Sequence, residues 1–170
     1  MINIKLERTI YDYIDLDEIK NYLRISHNND DKIIKLCLEA ASDFVQEYCS
    51  YILVQAIVAF TVENYKRDLL GNKGQKEIDI PYKPATKLID IIDEDENKIT
   101  GRLAGDKIIV DNNIFRKIAI IYKAGNENIP ADLKLALYRI TSDMYFNRTM
   151  EVKITSDILE LLNKHRLIYV

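Results

Sequence analysis

The chain has 170 residues, of which 48% are hydrophobic and 30% charged, so it can bury a core of its own and is not globally disordered. A net charge of −3 argues against a protein that binds nucleic acid by neutralising phosphates. No apolar run is long enough for a membrane span and no signal-peptide pattern opens the chain, so we expect no membrane association.

Two helices are predicted near the N-terminus. Asp15 and Glu18 have the spacing of a capping box at the start of a short helix, and Asn29 or Asp30 can cap a second helix over about residues 31–48. The second helix carries two adjacent apolar stripes, which predict a wide buried face in contact with several elements. One stripe holds Ile33, Cys37, Ala40, Phe44 and Tyr48, and the other holds Ile34, Leu38, Ala41 and Val45.

The two cysteines of this helix, Cys37 and Cys49, are separated by about 18 Å along its axis. A disulfide requires Cα atoms within about 7 Å of each other. We therefore expect both thiols to be reduced, as in a protein made in a cytoplasm.

The middle of the chain is predicted to be β-structure. From Val54 the apolar period becomes two, which is typical of a strand. Five further short strands are predicted between turn-forming residues, at about 77–80, 86–92, 98–103, 107–110 and 117–122. Their spacing favours a small antiparallel sheet or sandwich over a βαβ fold.

Helix returns after Pro130, which is suited to a first helical position, and Thr155 or Ser156 can cap a last short helix. The sequence therefore predicts an α+β fold and a single domain, residues 1–170. In its helical bundle, two N-terminal helices (about residues 15–50) would pack against the C-terminal helices (about residues 130–165). A small antiparallel β-sheet region, about 54–123, would be inserted between them.

No catalytic, cofactor-binding or metal-binding pattern is present. His27 and His165 each stand alone, and the carboxylates at 30–31 and 93–96 are best explained as a helix start and a solvated hairpin tip. We expect neither enzymatic activity nor a cofactor. Two alternatives stay open: a small intracellular enzyme with a carboxylate-based site, and a DNA-packaging accessory protein.

Four segments, in order, resemble one protein family. They are LDEIKNYLRI (16–25), the acidic pair 30–31 followed by LCLEAASDFVQEYCS (36–50), IDIPYKPATKLIDI (78–91), and residues 122–148. The last segment combines a Tyr-x-Ala-Gly turn, a Pro-x-x-Leu helix and a closing aromatic-x-x-Arg. Together they are similar to the phage head–tail connector family, the head-completion adaptors of long-tailed phages and gene transfer agents.

The resemblance implies a structural protein of the virion, synthesised in the cytoplasm of a bacterial host. Its partners would be other copies of itself in a ring of about twelve, closed by heterologous contacts. They would also include the portal protein and the next head-completion or tail protein, with DNA passing through the lumen without specific binding. We expect the exposed polar side of the helix after Pro130 and the apolar chain end to contact partners. The candidate residues are Arg148, Arg166, Leu167, Ile168, Tyr169 and Val170.

Overall fold

The computed structural model describes residues 4–7, 14–63, 74–111, 116–147 and 154–166. The chain divides into two compact units: a helical unit, Ile10–Leu53 with Asn128–Val170, and a β-rich unit, Met1–Thr9 with Val54–Glu127. The predicted α+β fold, with a helical bundle assembled from both ends of the chain, is confirmed. Whether the two units behave as a single domain stays a prediction.

Four helices form the described part of the helical unit: α1 (Leu16–Leu23), α2 (Asp31–Cys49), α3 (Ala131–Asn147) and α4 (Ser156–Asn163). α2 contacts all three others, as its predicted central position requires. The Asp15 carboxylate caps α1 by accepting from the Asp17 N–H at 3.0 Å. Glu18, the other half of the expected capping box, instead accepts from Lys134 Nζ on α3 at 2.5 Å.

Only one of the two predicted stripes of α2 is buried. Ile34, Leu38, Ala41 and Val45 are covered by the unit, together with Ser42, Gln46 and Cys49. In the other stripe Ile33 and Ala40 are exposed, while Cys37, Phe44 and Tyr48 are half-buried. The expectation of one wide buried face is therefore wrong. The neighbouring helices α1, α3 and α4 cover one side of α2 fully and the stripe beside it only in part.

Seven strands form the described part of the β-rich unit, and they pair into two antiparallel sheets. The strands are β1 (Ile4–Glu7), β2 (Ala56–Glu63), β3 (Lys76–Asp79), β4 (Ala85–Asp93), β5 (Gly101–Ala104), β6 (Lys107–Val110) and β7 (Lys117–Ala124). The four-stranded sheet has the order β1-β2-β7-β4 and the three-stranded sheet has the order β3-β6-β5. Alternate residues of β2 and β7 are fully buried, among them Val58, Phe60, Ile120 and Tyr122, so one face of the larger sheet forms the core of this unit.

β1 was not predicted, although Ile4 and Leu6 alternate with Lys5 and Glu7. A segment of four residues is too short for its alternation of apolar and polar residues to identify a strand. Its position is fixed by pairing with β2, with Ile4 opposite Phe60, and this partner is remote in the sequence. The strand expected at 98–103 begins only at Gly101, because Lys98 forms an isolated bridge with Ile92 instead.

Candidate assembly surface

α4 and the described residues after it contact α2 through the side chains of Tyr48, Cys49 and Arg166. The Tyr48 hydroxyl lies 3.0 Å from Asn163 Oδ1 and donates to it, and the Cys49 thiol donates to the Leu162 carbonyl at 3.4 Å. The guanidinium of Arg166 lies over the Tyr48 ring at 5.0 Å, within the range of a cation–π contact. Of the six candidate contact residues, Arg166 is thus exposed but anchored to α2.

The other five candidates, Arg148 and Leu167, Ile168, Tyr169 and Val170, lie outside the described residues. The last four follow Arg166 directly in the sequence. Arg166 itself lies beside Tyr48, near the C-terminal end of α2.

His165 is not isolated, because its Nε2 lies 2.7 Å from the Asp132 carboxylate at the start of α3. The imidazole also meets the Tyr51 ring edge-on, with centroids 5.6 Å apart. Burial raises the pKa of Asp132, but the hydrogen bond and charge of His165 and the backbone N–H of Leu133 lower it by more. The pKa of Asp132 therefore lies below its ordinary value. The contact between His165 and Asp132 joins the residues after α4 to the start of α3. No spacing in the sequence indicates this contact.

A second polar cluster fixes the turn between α1 and α2. Lys20, whose side chain is only 7% exposed, donates to Asn28 Oδ1 at 2.6 Å and to Asp31 Oδ1 at 2.8 Å. The Tyr145 hydroxyl of α3 donates to the Asp30 carboxylate. Sequence reasoning took the acidic pair 30–31 for a helix start, and Asp30 does precede α2, but its side chain makes no capping hydrogen bond. Instead, Asp31 accepts a hydrogen bond from the buried Lys20 ammonium group, and Asp30 accepts one from the Tyr145 hydroxyl.

Four described carboxyl groups have pKa values that are lowered from the ordinary value. Where a shift occurs among the described carboxyl groups, it is downward: the pKa values of Glu18, Asp93, Asp132 and Asp157 all lie below the ordinary range. The lead causes for Glu18 and Asp93 are hydrogen bonds, from Lys134 and from the backbone of Asn97. A catalytic acid needs the opposite, a carboxyl kept protonated near neutral pH. These four groups therefore bind neighbours instead of holding a proton.

The described residues contain no group of three or more His, Cys, Asp or Glu side chains that could hold a metal ion. Cys37 and Cys49 form no disulfide, as expected from their separation. Across the same described ranges, no helix combines the length and apolar content needed to cross a bilayer.

Exposed apolar side chains mark two outer helix faces in the helical unit. The outer face of α2 is made of Ile33, Leu36, Ala40 and Phe44. The outer face of α3 is made of Leu135, Arg139, Ser142 and Phe146. Leu36 is 64% exposed and Phe146 is 61% exposed, the two largest exposures among the large hydrophobic side chains described. Sequence reasoning identified neither, although Leu36 lies one turn from Ile33 and thus on the same side of α2.

Comparison with known proteins gives one family and a set of similar folds. Residues 13–123 match the model of the family described as phage gp6-like head–tail connector protein. No curated protein matches the chain.

Among solved structures, the chain is similar to a chain of the virion of a native gene transfer agent particle. The two are 14% identical with a TM-score of 0.76, and the match covers 98% of this chain and 96% of the other. It is also similar to chains from the neck of the empty particle, computed with C6 symmetry, and from the neck of the native particle, computed with C12 symmetry. Each of these is 15% identical with a TM-score of 0.74 and covers 100% of this chain and 97% of the other. At these identities the similarity establishes a shared fold.

Proposed function

Since this chain belongs to the family of phage gp6-like head–tail connector proteins, we propose that it is the connector adaptor of a phage or phage-like particle. It forms an oligomeric ring beneath the portal, extends the DNA channel, and joins the head to the next head-completion or tail protein. The ring contains about twelve copies on the particle, closed by rotation through heterologous contacts. The protein is made in the host cytoplasm and acts at the head–tail interface of the virion.

The observation that carries this proposal is the full-length fold similarity to chains of a particle neck, in addition to the family match. Both the helical unit and the β-rich unit fall within the matched length, so the likeness is not confined to a common helix pair. The neck structures were computed with rotational symmetry, which is the symmetry a ring adaptor requires.

Arg166, whose guanidinium lies over the Tyr48 ring, directly precedes the apolar segment Leu167–Val170 in the sequence. Together with Arg148 beyond α3, these residues contact neighbouring copies or the portal protein. The formal net charge of −3 suits a channel through which DNA moves without being bound.

The test is to delete the gene and examine the particles made by the remaining genes. We expect DNA-filled heads without tails, restored to whole particles when the chain is supplied in trans, and its density in a ring below the portal by electron microscopy. Whole tailed particles without the chain, or particles from which the supplied chain is absent, would overturn the proposal.

A further inference from the structure

We propose that α4, together with residues 164–166 after it, opens from the helical unit as one piece while α1, α2 and α3 stay folded. In this local opening α4 leaves its place against α2 and α3 and then returns. The thiol of Cys49 is accessible while α4 is away. Such an opening is a property of the single copy and does not depend on whether copies assemble into a ring.

One buried apolar cluster joins α1, α2 and α3 without any residue of α4. Its members are Ile19 and Leu23 of α1, Ile34 of α2 and Tyr145 of α3. The half-buried apolar side chains packed against this cluster also come from these three helices and the turn after α1. In addition, Lys134 of α3 donates to Glu18 of α1 at 2.5 Å. The three helices therefore hold one another through contacts that remain when α4 is away.

α4 is too short to be a stable helix without its contacts to the rest of the unit. It has eight residues, whereas an isolated helix needs about 12–15 residues to be even marginally stable in water. Its buried residues are Ile158 and Leu162, which lie one helical turn apart. α1 has three buried residues, α2 has seven and α3 has six. Among the four described helices, α4 therefore contributes the fewest side chains to the interior.

Two ionisable pairs connect α4 to α3, one near each end of α4, and both are reached by water. At the start of α4, Asp157 pairs with Arg139, and these side chains are 59% and 36% exposed. After its end, His165 lies 2.7 Å from Asp132, and these side chains are 21% and 29% exposed. Pairs that water reaches stabilise a contact only weakly, because water and salt compete with them. The docking of α4 therefore depends mainly on its short apolar face.

The sulfur of Cys49 reports on this opening because it is buried beside α4. Cys49 is the last residue of α2 and is fully buried, and its thiol donates to the Leu162 carbonyl of α4 at 3.4 Å. A thiol reagent can reach such a sulfur only after its surroundings open. The rate at which the folded protein is labelled at Cys49 therefore measures how often this site opens.

The first experiment follows the labelling of Cys49 by a maleimide as the urea concentration is raised. A Cys37→Ala background leaves Cys49 as the one thiol of the chain. Each rate is divided by the rate for the same protein unfolded in high urea, which cancels the chemistry of the reagent. We expect labelling to rise with urea less steeply than global unfolding seen by circular dichroism, because opening of α4 exposes less surface. Labelling that follows global unfolding at every urea concentration overturns the proposal.

A matched pair of substitutions in the same background gives the second readout. Ile158→Val and Ile34→Val remove the same methylene group from two buried positions, one on α4 and one in the cluster of α1, α2 and α3. Ile158→Val weakens only the docked form of α4, so we expect it to speed labelling about two- to tenfold. Ile34→Val weakens the docked and the opened forms alike. It should lower the urea midpoint of global unfolding and leave the labelling rate nearly unchanged.

The two variants together decide the outcome. Faster labelling in Ile158→Val with an unchanged rate in Ile34→Val supports opening of α4 by itself. Equal acceleration in both variants overturns it, because labelling then requires the unfolding of the whole helical unit. A rate that Ile158→Val leaves unchanged also overturns it, since α4 would then not control access to Cys49.

Discussion

The Tyr122 hydroxyl joins β7 to the backbone of Tyr82: it donates to the Tyr82 carbonyl at 2.8 Å and accepts from the Tyr82 N–H at 3.2 Å. The ring of Tyr122 is fully buried and meets Phe60 edge-on. The Tyr122 hydroxyl is thus hydrogen-bonded to both the N–H and the carbonyl of Tyr82, which lies between β3 and β4.

Tyr122→Phe keeps the ring and removes both hydrogen bonds. We expect the free energy of unfolding to fall by about 1–2 kcal/mol, since the Tyr82 backbone groups lose their partner. Urea denaturation followed by circular dichroism measures this. Tyr48→Phe is the matched control, because it removes an exposed hydrogen bond to Asn163 and should cost about 0.5 kcal/mol or less. Equal losses from the two variants would contradict the structural role of Tyr122.

Lys20→Met is expected to destabilise the helical unit by about 1–3 kcal/mol, because Asn28 and Asp31 lose the buried ammonium group that they accept from. The comparison is Lys32→Met, which removes the same charge from an exposed position of α2 and should change stability little. Thermal melts of both variants test the difference. A Lys20→Met protein as stable as the wild type would show that the hydrogen bonds of Lys20 make no net contribution to the stability of the fold.

Asp132→Asn tests the contact between α3 and α4 through its pH dependence. The folded pKa of Asp132 lies below its unfolded value of about 3.9. The stability from this carboxylate is therefore fully present above about pH 4 and is lost as the pH falls through the folded pKa. We expect Asp132→Asn to cost about 1 kcal/mol at pH 7 and to lose that difference at strongly acidic pH. A difference that persists unchanged in acid would assign the effect to packing.

Gly125→Ala tests why the Tyr-x-Ala-Gly turn ends in glycine. Gly125 has φ +89°, and a Cβ there would lie 2.5 Å from the Val54 carbonyl oxygen. Gly105 also has a positive φ, +61°, but a Cβ there would meet nothing within 4 Å. We expect Gly105→Ala to cost about 1 kcal/mol from backbone strain and Gly125→Ala clearly more. Comparable melting temperatures for the two would show that the close approach to Val54 relaxes at little cost.

Deletion of Leu167–Val170 is expected to reduce assembly into rings or particles while leaving the melting temperature of the monomer near that of the wild type. The reason is the proposed role of this apolar segment in contacts between copies or with the portal. Sedimentation or light scattering reports assembly, and calorimetry reports folding. A collapse in melting temperature with normal assembly of the folded remainder would show that the segment acts within its own chain.

The elements of the fold were largely predictable because their signals are local. The period of two after Val54, the proline before α3 and the Asp15 cap each lie within a few residues of what they specify. Pairing was not predictable: β1 is held by β2, and the strands divide into two sheets through contacts between distant residues. Periodicity also could not tell that Ile33 stays exposed while Ile34 is buried, because it reports which residues are apolar and not which are covered. The pairing of His165 with Asp132, and the burial of Lys20, depend on how helices pack and leave no pattern in the sequence.

The division of the chain into two interleaved units has a consequence for its synthesis. The β-rich unit ends at Glu127, whereas the helical unit needs α3, which begins at Ala131. As the chain leaves the ribosome in sequence order, every strand has therefore emerged before any residue of α3. Until then the inner face of α2, with Leu38 and Val45, has no α3 to cover it. The core of the helical unit is therefore completed only after α3 has emerged, later than the described strands of the β-rich unit.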